Sequence, residues 1–146
     1  MIKQAEVHDS KNVAELARLL WPDNDINYLQ NEMTEYINSN KTAVFLYFIE
    51  TVTVGFAQCS LRNDYVEGTK SSPVGYLEGV FVKDEYRNRG IGKNLVLQCE
   101  KWAKKKGCSE FASDCELSNS ESLNFHLHLG FQEANRIICF KKNLSV

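Results

Sequence analysis

The run Val80-Phe-Val-Lys-Asp-Glu-Tyr-Arg-Asn-Arg-Gly-Ile-Gly-Lys93 decides the fold, because an apolar, strand-like segment ends in it and an amphipathic helix begins. Gly90 and Gly92 leave the backbone bare, so amide groups at the start of the helix are accessible to an anion, which the helix dipole also favours. Arg87 and Arg89 add planar, bidentate donors suited to phosphate oxygens. The run predicts either a cradle for a pyrophosphate or a glycine-containing turn with solvated arginines.

Two common phosphate-binding motifs do not fit this run. A Walker loop requires Ser or Thr after Gly-Lys, whereas Asn94 follows Gly92-Lys93. A dinucleotide-binding fingerprint requires a third glycine, and Leu95 stands in its place. The remaining pattern is Arg87-x-x-Gly90-x-Gly92 between an apolar strand and a long helix. It resembles the acetyl-CoA-binding motif of the GCN5-related N-acetyltransferase superfamily.

Composition indicates one soluble domain that spans residues 1–146. The hydrophobic fraction of 43% and the charged fraction of 25% suit a single core of ordinary size. A formal net charge of -2 disfavours a nucleic-acid partner, and the basic cluster at 101–106 is interpreted as the solvated end of a helix. The N-terminal residues lack the apolar core of a secretion signal, and the longest apolar run, 43–49, is too short to span a bilayer. We therefore expect a cytoplasmic protein without a membrane partner.

The five cysteines are widely spaced, odd in number and without a CxxC pair. This pattern indicates neither a zinc site nor a disulfide framework, and no other metal site is predicted. We expect all five to be buried thiols in a reducing compartment.

Hydrophobic periodicity predicts the order β-α-α-β-β-β-α-β-α-β-β. Helices are expected from Asp9 or Ser10 to Trp21, after an Asp25 cap, from about 90 to 106, and from a capping box at 118–121 through Leu129. Gly55 suggests a bulge or a close approach, and Gly79 suggests a bulge that bends its strand. Strands are expected at 2–7, 42–50, 53–61, 74–82, 111–115, 131–136 and 137–143.

A second motif strengthens the resemblance. The run Asn119-Ser-Glu-Ser-Leu-Asn-Phe-His-Leu-His-Leu-Gly-Phe131 is similar to the superfamily's Asn-x-x-Ala-x-x-Leu-Tyr-x-Lys-Leu-Gly-Phe segment. The likeness covers essentially the whole domain. It implies an α+β fold whose central, mostly antiparallel, splayed mixed sheet is flanked by helices.

A narrower resemblance is to the compact bacterial aminoglycoside 6'-N-acetyltransferases. It is carried by Leu20-Trp-Pro22, Tyr76-Leu-Glu-Gly-Val-Phe-Val82, Asp114 and Leu117-Ser-Asn-Ser120. It implies acetyl transfer from acetyl-CoA to the 6'-amine of an aminoglycoside, with antibiotic resistance as the outcome.

The resemblance also implies how acetyl-CoA is held as a co-substrate. Its pantetheine amides would pair with the strand after the bulge, where the Val80 N–H is the expected donor to the thioester oxygen. The diphosphate would lie on the amides of the turn, and Asn119 would reach the pantetheine arm. The residues expected to bind acetyl-CoA are Val80, Phe81, Val82, Arg87, Asn88, Arg89, Gly90, Ile91, Gly92, Lys93 and Asn119.

Two carboxylates are candidates for handling a cationic amine. Glu78 precedes the bulge and is a candidate base, directly or through water; the alternative is a salt-bridge partner at the sheet edge. Asp114 ends a strand and is a candidate for binding the amine; the alternative interpretation is that it forms an Asx turn. The resemblance implies that both bind amino groups of the sugar while Trp21 and Tyr65 line the pocket. Trp21 fits core packing equally well.

His126 stands where the superfamily usually has a tyrosine that protonates the departing thiolate. Histidine can donate a proton near neutral pH, but a histidine on a helix face is more often packed or hydrogen-bonded. Both interpretations stay open, as does proton return from the amine or water.

The sequence is compatible with three functions. The first is the aminoglycoside 6'-N-acetyltransferase; the second is acetylation of a polyamine or a protein N-terminus; the third is a non-catalytic acyl-CoA-binding module. The apolar run Ile137-Ile-Cys-Phe140, together with the resemblance, also predicts a homodimer.

Overall fold

The computed structural model describes residues 1–145, and its elements follow the predicted order up to the last helix. Short 3-10 turns at Val7–Asp9 and Asp84–Tyr86 precede α1 and α3. The strands are β1 (Ile2–Gln4), β2 (Thr42–Ile49), β3 (Val52–Arg62), β4 (Val74–Val82) and β5 (Phe111–Ser113), and the helices are α1 (Ser10–Leu20), α2 (Ile26–Asn38), α3 (Ile91–Lys105) and α4 (Ser120–His128).

Internal contacts divide the chain into two units, Met1–Asp114 and a second that begins at Cys115. The first unit holds a sheet in the order β1-β2-β3-β4-β5, in which only the β4–β5 pair is parallel. Within the described residues, β4 pairs with β5 only from Gly75 to Leu77. β4 therefore continues beyond Leu77 without pairing to β5, and the expected mixed, mostly antiparallel, splayed sheet is confirmed.

The predicted bulge in β4 is confirmed and lies at Glu78. Gln58 of β3 pairs with Gly79 and Cys59 pairs with Leu77, so Glu78 is the extra residue. A bulge bends its strand and redirects the side chain of the unpaired residue. The hydrogen-bonded pairing of β3 with β4 therefore does not orient the Glu78 carboxylate.

The close approach predicted at Gly55 is also confirmed. A Cβ at this position would lie 2.8 Å from the carbonyl oxygen of Phe81 on the neighbouring strand. The β2–β3 register shifts at the same point, because Tyr47 pairs with Gly55 whereas Phe48 pairs with Thr53. Only glycine lets the two backbones come this close.

Helices cover both faces of the sheet, as the continuous buried runs along β2 and β3 require, because successive side chains point to opposite faces. On one face, α1 and α2 pack around Val44, Leu46 and Phe56. On the other, α3 packs on β3 and β4, and Cys59 and Cys99 are both fully buried there. No helix within residues 1–145 is long and apolar enough to cross a membrane.

The helix boundaries follow local signals. The Asp25 carboxylate accepts bonds from the backbone N–H groups of Asn27 (3.0 Å) and Tyr28 (3.2 Å), which confirms the predicted cap of α2. The cap of α4 is Asn119 rather than the predicted Ser118, since its Oδ1 accepts from the Ser122 N–H at 3.0 Å. Asparagine serves this role as well as serine does, so the capping-box spacing gave the wrong first residue.

Two predictions for the C-terminal unit are wrong. The strands expected at 131–136 and 137–143 do not form, because residues 131–145 are neither helical nor paired as strands in the structure. A strand-like pattern alone is insufficient, since a strand needs a neighbour for its backbone groups and its apolar face. The prediction of five buried thiols also fails, because Cys115 and Cys139 are exposed and only Cys59, Cys99 and Cys108 are buried.

Candidate active site

Glu78 is held by donors from β3. The Ser60 hydroxyl donates to its Oε2 at 2.6 Å, and Arg62 Nη2 donates to Oε1 and Oε2 at 2.9 and 3.0 Å. Arg62 Nε lies 3.3 Å from Oε2. Charge-assisted, two-point pairing of this kind fixes a carboxylate in both position and orientation. The burial cost expected for Glu78 is thus offset by the ion pair with Arg62. This pairing does not by itself make Glu78 a base.

Arg62 also connects Glu78 with Asp114. The Arg62 guanidinium carbon lies 3.4 Å from the centroid of the Tyr76 ring, and the Tyr76 hydroxyl donates to Asp114 Oδ2. Burial and the hydrogen bond to Asp114 raise the pKa of Tyr76, which keeps its phenol a donor. The two predicted carboxylates therefore belong to one network, Glu78–Arg62–Tyr76–Asp114.

Sequence reasoning missed the middle of this network. Ser60 and Arg62 lie two residues apart on β3, and period-two spacing places them on one face of the strand. The available signal was a pair of polar residues at the end of a mostly apolar strand that precedes the strand carrying Glu78.

A cavity of about 310 Å³ lies beside Glu78. Its size falls within the range of small-molecule sites. Among the described residues that line it are two carboxylates, Glu32 and Glu78, and no Lys or Arg. The lining residues are Trp21, Asn24, Tyr28, Leu29, Glu32, Gln58 and Glu78. Such a cavity suits a cationic ligand with an apolar face.

The residues from α2 in this lining were not predicted. Tyr28 and Glu32 stand four apart, which places them on one face of the helix. Their hydrogen bond raises the pKa of Tyr28. The spacing was visible in the sequence, but only the packing of α2 against α1 and β2 places these two residues at the cavity.

Trp21 combines the two roles that the sequence left open. Its ring packs edge-on against Phe56, with centroids 6.3 Å apart, and it also lines the cavity. A Cβ on Gly79 would lie 2.9 Å from Trp21 Cη2, so the indole ring sits directly on the bare backbone next to the bulge. Trp21 is therefore a fixed wall of the cavity.

This contact makes Gly79 sensitive to a single methyl group. We expect Gly79→Ala to lower the free energy of unfolding by about 1–3 kcal/mol, because the Trp21 ring must leave its position. Urea denaturation measures the change. In a Trp21→Leu background the same substitution should cost much less, whereas equal costs in both backgrounds would contradict the contact.

Tyr65 is not part of the cavity. It lies in the loop between β3 and β4, is 76% exposed, and accepts a hydrogen bond from the Gly68 N–H at 3.4 Å. The structure therefore brings Trp21 and Glu78 into one cavity and links Asp114 to Glu78, but leaves Tyr65 in solvent.

The glycine turn has the backbone expected of an anion site. Gly90 is the N-cap of α3 with φ 78°, and Asn88 also has a positive φ of 63°. The first backbone bond of the helix runs from Asn94 N–H to Gly90 O at 3.0 Å. The amides before Asn94 therefore have no partner within the helix and are available to an anion.

Arg87 braces this turn. Its Nε donates to the Val82 carbonyl at 2.9 Å, and its Nη1 lies 3.1 Å from Asp84. Val82 and Asp84 flank Lys83, so one guanidinium ties the end of β4 to the segment before α3. A cleft of about 470 Å³ adjoins the turn and is lined by Leu19, Phe81, Lys83, Asp84, Glu85 and Arg87.

In the C-terminal unit, His126 is both packed and hydrogen-bonded. Its Nδ1 lies 2.7 Å from the Ser122 carbonyl oxygen, and its ring centroid lies 5.1 Å from that of Phe131. A carbonyl only accepts, so Nδ1 carries the proton. Donation from Nε2 would therefore require the doubly protonated, cationic ring.

The sequence matches the Acetyltransferase (GNAT) family over residues 13–131, and the chain belongs to this family. It is similar to aminoglycoside N(6')-acetyltransferases type 1 from Acinetobacter baumannii, with 45% identity over 86% of both chains, and from Acinetobacter genomosp. 13, with 43% identity over 88% of both chains.

Solved structures agree with this membership. A structure of AAC(6')-Iy in complex with the bisubstrate analogue CoA-S-monomethyl-acetylneamine has a TM-score of 0.95 at 35% identity and covers 99% of this chain and 98% of its own. The crystal structure of AAC(6')-Ih from Acinetobacter baumannii has a TM-score of 0.92 at 40% identity, with 99% of each chain covered.

Proposed function

We propose that this protein is an acetyl-CoA-dependent aminoglycoside 6'-N-acetyltransferase. The observation that carries the proposal is the carboxylate of Glu78, which lies on a β-bulge beside an acidic, tryptophan-walled cavity. The relatives are named as aminoglycoside N(6')-acetyltransferases, and one solved neighbour holds an analogue that joins CoA to an acetylated neamine. Acetylation removes the charge of a drug amine, so the biological outcome is resistance.

The reaction requires a neutral amine, a polarised carbonyl and a stabilised leaving group. Glu78 takes a proton from the 6'-ammonium, directly or through water, and the amine nitrogen then forms a bond to the thioester carbon. The Val80 N–H donates to the oxygen as it gains negative charge. The carbon–sulfur bond breaks, and the thiolate takes a proton from His126, from the amine or from water.

Acetyl-CoA is held mainly by backbone groups in this proposal. The edge of β4 beyond Leu77 has no β5 partner in the described residues, which supports pairing of Val80, Phe81 and Val82 with the pantetheine amides. The turn and the first amides of α3, from Arg87 through Asn88, Arg89, Gly90, Ile91 and Gly92 to Lys93, receive the diphosphate. Asn119 contributes its amide to the pantetheine arm.

The acceptor is held by Glu78 and Asp114, which bind ammonium groups, and by Trp21, which faces the sugar. Tyr65 lines the acceptor pocket in this proposal, and its loop must then bring it toward the ligand. An acceptor with several ammonium groups needs anionic contacts, and the two carboxylates of the cavity, Glu32 and Glu78, can supply them.

Acceptor identity is tested by measuring thiol release from acetyl-CoA across a panel. We expect transfer to kanamycin and tobramycin, and little transfer to analogues with a 6'-hydroxyl group or to spermidine. Comparable rates with spermidine, or activity confined to a peptide N-terminus, would replace the proposal with acetylation of that acceptor. Acetyl-CoA binding without transfer to any amine would indicate a non-catalytic module.

The role of His126 is open to a direct test. If its cationic ring protonates the thiolate, His126→Phe should lower kcat by no more than about 10²–10⁴-fold and change the pH dependence of kcat. Phenylalanine preserves the ring packing against Phe131. Full activity would leave His126 with a packing role alone.

We further propose that residues 1–146 act as one catalytic domain and that the protein forms a homodimer. Ile137, Ile138, Phe140 and Leu144 are each at least 68% exposed, and an exposed, apolar segment of this kind is suited to contact with a second copy. Sedimentation at micromolar concentration that shows only monomer would exclude the dimer.

We also propose a cytoplasmic location, which the use of acetyl-CoA as co-substrate and the five free cysteines support. The net charge of -2 gives no reason to expect nucleic acid or membrane as a partner.

A further inference from the structure

Arg62 occupies an unusual place for a basic side chain, because it lies at the acceptor carboxylates of a site proposed to bind cations. It is the last residue of β3 and reaches across to β4. Its side chain is 42% exposed, and that of Glu78 is 26% exposed. An ion pair this accessible contributes little to stability. Its main effect is therefore the position and orientation that it gives to the Glu78 carboxylate.

Because Glu78 lies on the bulge, its carboxylate has to be oriented by side chains rather than by the strand pairing. As the extra residue of a bulge, Glu78 has no partner opposite it in the β3 ladder. Its carboxylate is instead oriented by Ser60 and Arg62, which together occupy most of the acceptor sites on Oε2. Oε1 accepts a bond from Arg62 Nη2 and keeps capacity for a further donor.

The same guanidinium is fixed from its other side. Its central carbon lies 3.4 Å from the centroid of the buried Tyr76 ring, and Tyr76 donates to Asp114. A guanidinium can make a bidentate pair and stack on an aromatic ring at once, whereas an ammonium cannot. Movement of Arg62 would therefore release Glu78 and also disturb the ring that orients Asp114.

We propose that Arg62 is a positioning residue for the acceptor, holding Glu78 and, through Tyr76, Asp114 at a set separation and orientation. This inference rests on the proposed function, in which these two carboxylates receive amino groups of the aminoglycoside. In this proposal Arg62 itself makes no bond to the amine or to the thioester. It fixes the spacing of two negative charges, and so it selects acceptors whose amines match that spacing.

The test compares Arg62→Met with Arg18→Met, in which an exposed arginine at the end of α1 is removed. Steady-state kinetics are measured with kanamycin and acetyl-CoA. Arg62→Met should lower kcat/KM for kanamycin about 10–100-fold, the scale of a misplaced catalytic group, with a lower kcat and a higher kanamycin KM. The KM for acetyl-CoA should change less than about twofold in both variants.

Two further variants separate positioning from charge and from folding. Arg62→Lys keeps the positive charge but loses the planar, bidentate donors of the guanidinium, so lysine should not restore the activity that Arg62→Met loses. Tyr76→Phe keeps the ring under Arg62 and removes only the bond to Asp114, so it should raise the kanamycin KM while kcat stays near that of the parent. Acetyl-CoA affinity by calorimetry confirms that each variant is folded.

Coupling is the decisive measurement. In a Glu78→Gln background, Arg62→Met should have little additional effect on kcat, because Arg62 acts on the chemical step through Glu78, while the kanamycin KM should still rise through Tyr76 and Asp114. Additive losses in kcat, full rescue by lysine, or a kanamycin KM that falls when Arg62 is removed would each overturn the proposal. If the parent enzyme acetylates no aminoglycoside, it is the proposed function that fails.

Discussion

Glu78→Gln is expected to lower kcat/KM for an aminoglycoside by about 10²–10⁴-fold, the range typical of a general base. Glutamine keeps the size of the side chain and can still accept the hydrogen bond that Ser60 donates at 2.6 Å. It cannot accept a proton from an ammonium group, and it loses the charge that Arg62 pairs with. The loss should therefore be mainly in kcat.

Steady-state kinetics with kanamycin check this expectation, and Glu15→Gln, an exposed position on α1, is the matched control. Acetyl-CoA affinity measured by calorimetry should be the same in both variants. If Glu78→Gln raised only the kanamycin KM and left kcat intact, Glu78 would bind the acceptor without acting as its base.

The second large effect is expected at the cofactor turn. Gly92→Val should weaken acetyl-CoA binding by about 10–100-fold, because a branched side chain in the first turn of α3 would keep the diphosphate from the backbone amides. Losing charge-assisted hydrogen bonds costs about 1.5–3 kcal/mol, which corresponds to this range. Aminoglycoside affinity should be unaffected.

Isothermal calorimetry with acetyl-CoA measures the change, with Gly92→Ala as the matched variant. Alanine favours the helix by about 1 kcal/mol over glycine and leaves more of the approach open, so its binding defect should be the smaller one. An unchanged acetyl-CoA affinity in a folded Gly92→Val protein would place the diphosphate elsewhere.

The elements that were predicted well are those that depend on neighbours along the chain. The Asp25 cap, the glycine turn before α3 and the apolar face of that helix depend on interactions within a few residues. The bulge at 77–79 was visible for the same reason, since an interior glycine beside a charge is a local exception to an apolar strand. These signals were sufficient to indicate the order of elements through α4, whereas the residues proposed to bind acetyl-CoA were implied by the resemblance to the acetyltransferase superfamily.

The failures have a common physical origin. The run at 137–140 has strand-like composition, but a strand also needs a partner, which composition does not specify. Ile138 is accordingly 80% exposed in a segment that the sequence pattern assigned to a sheet. The burial of Cys115 and Cys139 was predicted from residue type alone and failed because burial depends on what packs against a residue.

The sequence by itself determined the order of elements through α4, the glycine turn and the identity of the two candidate carboxylates. Only the tertiary structure decided that Arg62 and Tyr76 connect Glu78 with Asp114, and that α2 adds Tyr28 and Glu32 to the cavity. The physical reason is that these contacts join separate strands and helices. Which side chains meet there depends on register and packing, and a one-residue bulge at Glu78 is enough to change the outcome.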